Sequence, residues 1–218
     1  MQAEEHHLRV TRTARYYVLG TPAGHVEELW IACHGYGQLA RDFIPSFEPI
    51  AAPHRVVVAP EALNRYYIDT APHAHGPDSR IAATWMTRED RAHEIEDYVA
   101  YLDDVSAHLK TMVPNARITA LGFSQGTATV SRWAAAGRTQ LQRVILWGGS
   151  VAHDVALRQD LFKAAKLTLV AGTRDHFVRS ERLAAERARL DEAGLTHDVV
   201  QFDGGHRMDT DTLQRLTS

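Results

Sequence analysis

The sequence predicts a doubly wound α/β fold, with a mostly parallel sheet and an antiparallel edge near the N-terminus. Short apolar runs alternate with segments of helical periodicity, which is typical of parallel strands joined by helices. Most of the runs are continuously apolar rather than alternating, as expected when both faces of a sheet are covered. With 218 residues, 44% of them hydrophobic, the chain can bury such a sheet, and we expect residues 1–218 to form one domain.

Six apolar runs are the predicted parallel strands, at residues 29–33, 55–60, 117–123, 143–148, 166–172 and 197–202. The earlier stretch 8–19 alternates more and therefore favours an antiparallel hairpin at a sheet edge. Helices are predicted over residues 88–113, 125–136 and 180–193, and the last two end before glycines that can cap a helix. Residues 61–87 lack clear periodicity, and a loop of that length in a compact domain is usually functional or mobile.

The composition and the N-terminal residues narrow the choice of partners and compartment. A net charge of -3 leaves no basic footprint for nucleic acid. No apolar stretch approaches the length of a membrane span, and the N-terminus lacks the basic and apolar regions of a signal peptide. The single cysteine, Cys33, has no partner for an internal disulfide, which suits a reducing compartment. We therefore expect a cytoplasmic protein with no nucleic-acid partner and no membrane span.

A candidate nucleophile lies at residues 122–126, where Gly-Phe-Ser-Gln-Gly matches the G-x-S-x-G pattern of a nucleophile elbow. The pattern stands between a predicted strand and a predicted helix, where a sharp turn would project the hydroxyl of Ser124 above the sheet. Glycines on both sides leave room for the crowded backbone of such a turn. An ordinary glycine-rich turn that happens to contain a serine is the alternative interpretation.

A serine hydroxyl needs a base to become a nucleophile, and the base needs an acid to orient it. Asp175 follows the strand at 166–172 and His206 follows the strand at 197–202, in the order expected after an elbow serine. Both therefore lie at the sheet edge where Ser124 is expected. The chain has 13 histidines, so a surface imidazole is the alternative for His206. Asp154 and Asp203 also follow strands and are alternatives to Asp175.

Two backbone donors are expected to stabilise negative charge on the carbonyl oxygen of a substrate. One is the N–H of Gln125, the residue directly after the nucleophile. The other comes from the His-Gly-Tyr-Gly sequence at 34–37, which follows the strand at 29–33. We favour the N–H of Tyr36, with that of Gly37 as the nearest alternative. A plain glycine turn is the remaining interpretation of this stretch.

Two groups of side chains in the 61–87 segment bear on binding. Tyr66, Trp85 and Met86 are candidates to line a substrate pocket, or else they anchor the segment to the core. His73 and His75 have a spacing that metal ligands can have, but no third ligand is placed by spacing. We interpret that pair as part of a polar loop and expect no metal and no other cofactor.

Taken in order, these motifs resemble the phospholipase/carboxylesterase family of α/β hydrolases, which includes the acyl-protein thioesterases. The resemblance covers about residues 29–206, and the Ser-Gln pair at 124–125 is more diagnostic than the bare elbow pattern. It implies an α/β-hydrolase fold without a large cap domain, and a hydrolase of carboxylic esters or thioesters that needs no metal.

Two stretches depart from the thioesterases of that family. Tyr-Gly-Gln at 36–38 stands where they usually have Leu-Gly-Asp, and Trp-Met-Thr at 85–87 stands where they have Trp-Phe-Asp. The chain looks more like bacterial esterases of the same superfamily, so lipid or acylated-protein substrates are not carried over to it.

The predicted function is hydrolysis of a small carboxylic ester with a short to medium acyl group, through an acyl-enzyme on Ser124. Thioester, lactone, amide and peptide cleavage are alternatives, because the elbow does not distinguish them. A non-catalytic ligand-binding protein on a hydrolase scaffold is a third interpretation, although such proteins generally lose a catalytic group and this chain keeps a candidate for each. The expected partner is a small-molecule ester, and a homodimer is compatible with the sequence.

Overall fold

Strands and helices alternate along most of the chain. The structure is a computed structural model and describes residues 2–23, 25–68, 76–158, 160–162 and 165–217. The strands are β1 (Tyr16–Leu19), β2 (Glu28–Cys33), β3 (Arg55–Pro60), β4 (Asn64–Tyr67), β5 (Ile81–Thr84), β6 (Arg117–Phe123), β7 (Arg143–Trp147), β8 (Lys166–Gly172) and β9 (His197–Phe202). The helices are α1 (Ala40–Phe43), α2 (Arg91–Met112), α3 (Gln125–Ala136), α4 (Ser180–Glu192) and α5 (Thr210–Arg215), with a 3₁₀-helix at Ile44–Ile50 after α1.

Seven of these strands form one sheet in the order β1-β3-β2-β6-β7-β8-β9. β1 runs antiparallel to β3, and the other neighbours in the sheet are parallel to each other. The predicted mostly parallel sheet with an antiparallel N-terminal edge is confirmed. β4 and β5 pair with each other in a separate antiparallel hairpin.

Two details of the N-terminal half differ from the prediction. The stretch 8–19 does not form a hairpin: only β1 is a strand there, and its partner is β3, about forty residues along the chain. The 61–87 segment is not irregular throughout, because it contains the β4–β5 hairpin. Strands of four residues are too short for their periodicity to stand out in the sequence.

Both faces of the sheet are covered, which explains why the strand sequences are continuously apolar. In β2, Leu29, Ile31 and Cys33 pack into one core while Trp30 and Ala32 pack into the other. Residues of α2, α3 and α4 complete the first core, and residues of α1, the 3₁₀-helix and α5 complete the second. None of the helices in the described part of the chain combines the length and the apolar character needed to cross a bilayer.

A buried carboxylate on α2 fixes the turn that follows α3. Asp103 accepts hydrogen bonds from the indole N–H of Trp133 at 2.8 Å and from the backbone N–H groups of Arg138 and Thr139 at 2.8 and 3.0 Å. Burial alone would raise the pKa of Asp103, but these donors hold it below the ordinary value. The ionised carboxylate therefore holds α2 against the carboxyl end of the helix that begins at the elbow.

We expect the protein to lose stability in acid. The pKa of Asp103 is lower in the folded state than in the unfolded state. Its carboxylate therefore contributes fully to the free energy of unfolding above the unfolded pKa of about 3.9. This contribution is lost as the pH falls through the lower folded pKa. Thermal melts at falling pH should show a decreasing Tm. Asp103→Asn should lower the Tm at neutral pH and flatten this dependence, whereas Asp104→Asn, at its exposed neighbour, should change little. An identical pH dependence in Asp103→Asn would count against this role.

Candidate active site

The predicted site residues all follow strands at one edge of the sheet. Ser124 follows β6, the loop 34–37 follows β2, Asp175 comes after β8 and His206 after β9. The chain order reverses around β2, which has β3 on one side and β6 on the other. Open α/β sheets bind ligands at such a switch point, beyond the carboxyl ends of the strands.

The turn at Ser124 is sharp and sterically crowded. Ser124 has φ 54° and ψ −115°, a conformation that residues with a side chain rarely adopt. A Cβ on Gly122 would lie 2.1 Å from the carbonyl oxygen of Gly126, and a Cβ on Gly126 would lie 2.1 Å from that of Cys33. The two glycines of the pattern are therefore required by close backbone contacts, and a strained serine stands between them.

Asp175 and His206 form a short hydrogen bond, with 2.7 Å between Oδ2 and Nδ1. The other carboxylate oxygen, Oδ1, accepts the backbone N–H groups of Phe177 and Val178 at 2.8 and 3.1 Å. Burial alone would raise the pKa of Asp175, but the hydrogen bonds from His206 and these two N–H groups lower it below its ordinary value. An ionised acceptor keeps the imidazole proton on Nδ1 and leaves Nε2 free to accept a proton.

The two alternative carboxylates pair with arginines instead. Asp154 lies 2.9 Å from both Arg132 and Arg91. Asp203 has a side chain that is 80% exposed and lies 3.2 Å from Arg174. Of the three candidates, Asp175 is the carboxylate that contacts His206.

Two aromatic rings and a glycine position the imidazole beside the elbow. The ring of Phe123, the residue before Ser124, has its centroid 4.9 Å from that of His206, and the ring of Phe177 lies at 4.7 Å. Gly148, directly after β7, is so close that a Cβ would lie 2.9 Å from Cε1 of His206. The Ser124 hydroxyl makes no hydrogen bond to any described residue, and contacts of this kind often tighten only when substrate binds.

Buried polar contacts hold the loop after β2 against the elbow. The Nδ1 of His34 donates to the carbonyl of Gly35 at 2.8 Å, and Nε2 accepts the N–H of Ala62 at 3.1 Å. Burial lowers the pKa of His34, so the ring is neutral, as an accepting Nε2 requires. The indole N–H of Trp85 donates to the His34 carbonyl at 2.9 Å. A Cβ on Gly35 would lie 3.2 Å from the Cβ of Ser124, so the loop packs directly on the serine.

Two backbone N–H groups at this junction are available to a ligand. The N–H of Gly37 donates to the carbonyl of Ala83 at 2.9 Å. This N–H is therefore not available to a ligand. The N–H of Tyr36 has no acceptor among the described residues. Gln125 begins α3, and the first N–H groups of a helix have no acceptor within it. The pair favoured by the sequence, Tyr36 and Gln125, is thus the pair left unbonded.

The side chain of Gln125 makes contacts that the sequence does not predict. Its amide group donates to Oγ1 of Thr84 at 2.9 Å and to the carbonyl of Met86 at 3.0 Å, and its oxygen accepts the N–H of Trp85 at 3.2 Å. These bonds join the elbow to the last residue of β5 and to the two residues that follow it. The partners lie 39 to 41 residues away along the chain, so no sequence spacing predicts these contacts.

The residues predicted to bind substrate do not line the cleft that opens beside the serine. This cleft, of about 350 Å³, extends from the elbow along the turn after β7 and residues 177–182. Trp85 is only 1% exposed and supports the loop after β2. The Sδ of Met86 accepts an N–H of Arg132 at 3.4 Å, and the ring of Tyr66 packs on Tyr36 with 5.8 Å between centroids. Trp85 and Met86 therefore anchor the segment, as the alternative interpretation has it.

Possible metal ligands are few. His73 and His75 lie outside the described residues, so the expectation for that pair stays a prediction. Among the described residues, His7, Asp90 and His93 bring ligand atoms within 4.8 Å of one another. His93 and Asp90 are 2.6 Å apart and more than 40% exposed, so a surface ion pair accounts for their contact.

Comparisons with known proteins agree with this architecture. A sequence profile described as phospholipase/carboxylesterase matches residues 15–218. A search of curated proteins found no significant match. The carboxylesterase from Mesorhizobium loti is similar in structure, with a TM-score of 0.69 at 19% identity over 94% of each chain.

Two further solved structures have the same fold. The Zea mays acyl-protein thioesterase 2 has a TM-score of 0.68 at 17% identity, over 94% of this chain and 98% of that one. The Bacillus cereus carboxylesterase also has a TM-score of 0.68, at 14% identity, over 93% of this chain and 91% of that one. The fold is that of the α/β hydrolases, and the chain belongs to the phospholipase/carboxylesterase family.

Proposed function

We propose that the protein hydrolyses carboxylic esters through an acyl-enzyme, with Ser124 as nucleophile, His206 as general base and Asp175 as the orienting acid. The observation that carries the proposal is the 2.7 Å bond between Asp175 and His206, beside a serine held in a strained strand-to-helix turn. An ionised carboxylate, an imidazole with a free Nε2 and a serine hydroxyl that a substrate can reach from the cleft are the groups that serine hydrolysis needs.

In the first step the Oγ of Ser124 attacks the carbonyl carbon while Nε2 of His206 takes its proton. The N–H groups of Tyr36 and Gln125 stabilise the oxyanion that forms. The imidazolium, stabilised by Asp175, then gives its proton to the departing alcohol. Water attacks the acyl-enzyme by the same route and regenerates the serine.

Thioester hydrolysis is the second candidate, because an acyl-protein thioesterase is among the structural neighbours. The same groups serve both reactions, so the leaving group and acyl length must be assayed directly.

A series of 4-nitrophenyl esters of increasing acyl length, with a thioester and an anilide, separates these possibilities. We expect short acyl esters to react fastest, because the cleft beside Ser124 is small, about 350 Å³. Location in the cytoplasm and dimer formation stay predictions from the sequence.

A fluorophosphonate probe tests the proposed nucleophile. We expect one covalent adduct per chain, mapped by peptide mass spectrometry to Ser124, since an activated serine reacts with such probes. Ser150 is another serine that lines the cleft. Ser150→Ala should therefore label as the wild type does. An adduct on Ser150, or no adduct in folded protein, would refute the assignment.

Replacing Gly148 by alanine is expected to lower both stability and activity. Its φ of +66° is strained for a residue with a side chain, and the new Cβ would press on the imidazole of His206. We expect a loss of about 1–2 kcal/mol in the free energy of unfolding and about a tenfold loss in kcat/KM. Gly76→Ala, where a Cβ meets no atom of the described residues within 4 Å, is the control. Denaturant melts and aryl-ester kinetics measure both effects, and an unaffected Gly148→Ala variant would contradict this packing.

A further inference from the structure

The cleft beside Ser124 is rich in arginine. Arg91, Arg132 and Arg182 line it, and Asp154 is the one carboxylate among the described residues that line it. These four side chains carry a net positive charge. A cleft lined predominantly by one sign of charge concentrates ligands of the opposite sign.

Two of the arginines are fixed by the single carboxylate. Arg132 donates from Nε and Nη2 to Oδ1 of Asp154 at 3.1 and 2.9 Å, and Nη2 of Arg91 lies 2.9 Å from Oδ2. Burial alone would raise the pKa of Asp154, but the bonds from Arg132 and Arg91 hold it at about 2. Arg132 also donates to the hydroxyl of Tyr98 at 3.1 Å. This wall is held by ion pairs and keeps one positive charge in excess.

Arg182 differs from the other two because no described carboxylate pairs with it. Its Nη1 donates instead to the backbone carbonyl of Phe177 at 3.2 Å. The ring of Phe177 packs on His206 with 4.7 Å between centroids. An unpaired guanidinium is thus tethered to the residue that contacts the catalytic imidazole, within the same cleft as Ser124.

The position of Arg182 in its helix is also unfavourable unless an anion is nearby. It stands in the first turn of α4, where the helix dipole favours acidic residues and disfavours cations. The acidic residue of this turn, Glu181, does not line the cleft. Departures from such local preferences are expected mainly at functional or strained sites.

We propose that the ester hydrolysed at this site carries a carboxylate, which Arg182 binds while Ser124 attacks the ester carbonyl. The inference rests on the proposed function and names its substrate class. A guanidinium presents a planar pair of donors that matches a carboxylate. The carboxylate belongs to the acyl group or to the alcohol, and both sources offer Arg182 the same chemistry.

Matched charged and neutral esters test the inference on each side of the scissile bond. For the acyl side the pair is mono-4-nitrophenyl adipate and its methyl ester, and for the alcohol side it is 4-acetoxybenzoate and its methyl ester. In at least one pair we expect kcat/KM to favour the carboxylate by about tenfold or more, the usual gain from one charge-assisted hydrogen-bonded pair. Added salt should reduce this preference.

Variants of two arginines on α4 test whether the preference for charged esters depends on Arg182. Arg182→Gln should abolish the charged-to-neutral preference, and Arg182→Lys should retain part of it, since the charge remains but the planar fork does not. Arg187→Gln removes the same charge from an exposed residue of α4 outside the cleft and should leave the preference unchanged.

Adipate binding gives a readout that does not require turnover. In calorimetry, the Ser124→Ala protein should bind adipate, and the Ser124→Ala, Arg182→Gln double variant should not. Hydrolysis of neutral esters with no preference in either pair would overturn the inference and leave the proposed function standing. No ester turnover, together with adipate binding that depends on Arg182, would overturn the function and support the carboxylate site. Failure of both measurements would overturn both.

Discussion

Replacing Ser124 by alanine should lower kcat/KM for a neutral aryl ester by about 10⁴-fold or more, as loss of an activated nucleophile does in serine hydrolases. The change removes the attacking oxygen but keeps a Cβ, so the strained turn at φ 54° is preserved. Initial rates and fluorophosphonate labelling should both fall to background. Circular dichroism melts should stay close to those of the wild type.

The matched control for this experiment is Ser150→Ala, which removes a hydroxyl from the same cleft without touching the elbow. We expect its labelling by the probe to persist. Hydrolysis by purified Ser124→Ala at more than a few per cent of the wild-type rate would show that another group attacks the ester. Such a result would end the assignment of Ser124.

Asp175→Asn is expected to lower kcat/KM about 10⁴-fold while leaving the fold intact, the size that this change has in another serine hydrolase. The amide oxygen can still accept the N–H groups of Phe177 and Val178 that now bind Oδ1. The amide NH₂ then faces Nδ1 of His206, which must become an acceptor. The proton moves to Nε2, and the imidazole can no longer take a proton from Ser124.

Asp203→Asn is the control for that prediction, because Asp203 also follows a strand but pairs at the surface with Arg174. Exposed ion pairs contribute little, so kcat/KM and Tm should stay near the wild-type values. If Asp203→Asn lost activity and Asp175→Asn kept it, the acid would have been assigned to the wrong strand. Equal and small effects of both changes would remove the acid from the mechanism.

Most of the sheet could be predicted because burial on both faces leaves a direct trace in the sequence. A strand such as β6, with six of its seven residues buried, must be apolar almost throughout. Its predicted bounds, 117–123, are those observed, and α3 likewise begins and ends as predicted. β4 and the 3₁₀-helix were not predicted, because short and partly exposed elements do not need a continuously apolar sequence.

The candidate site likewise has residues that the sequence predicts and residues that it does not. Ser124, Asp175, His206, Tyr36 and Gln125 could be selected because each follows a strand in a recognisable motif. The lining of the cleft could not be predicted: Trp85 and Met86, expected to bind substrate, pack in or against the core and do not line the cleft. The arginine-lined cleft comes from residues on three different helices and loops, and no motif joins them.

The sequence by itself therefore determined the local backbone geometry and the order of the motifs. A Gly-x-Ser-x-Gly turn and a continuously apolar strand have few other ways to fold. Contacts between distant segments depended on the tertiary structure. The packing of the sheet edge brings Asp175, rather than Asp154 or Asp203, into contact with His206, and it bonds the N–H of Gly37 to the carbonyl of Ala83. It also places Arg182 in the same cleft as Ser124 with no carboxylate partner among the described residues. Pairing between side chains far apart in sequence has no periodicity, so only the folded chain reveals it.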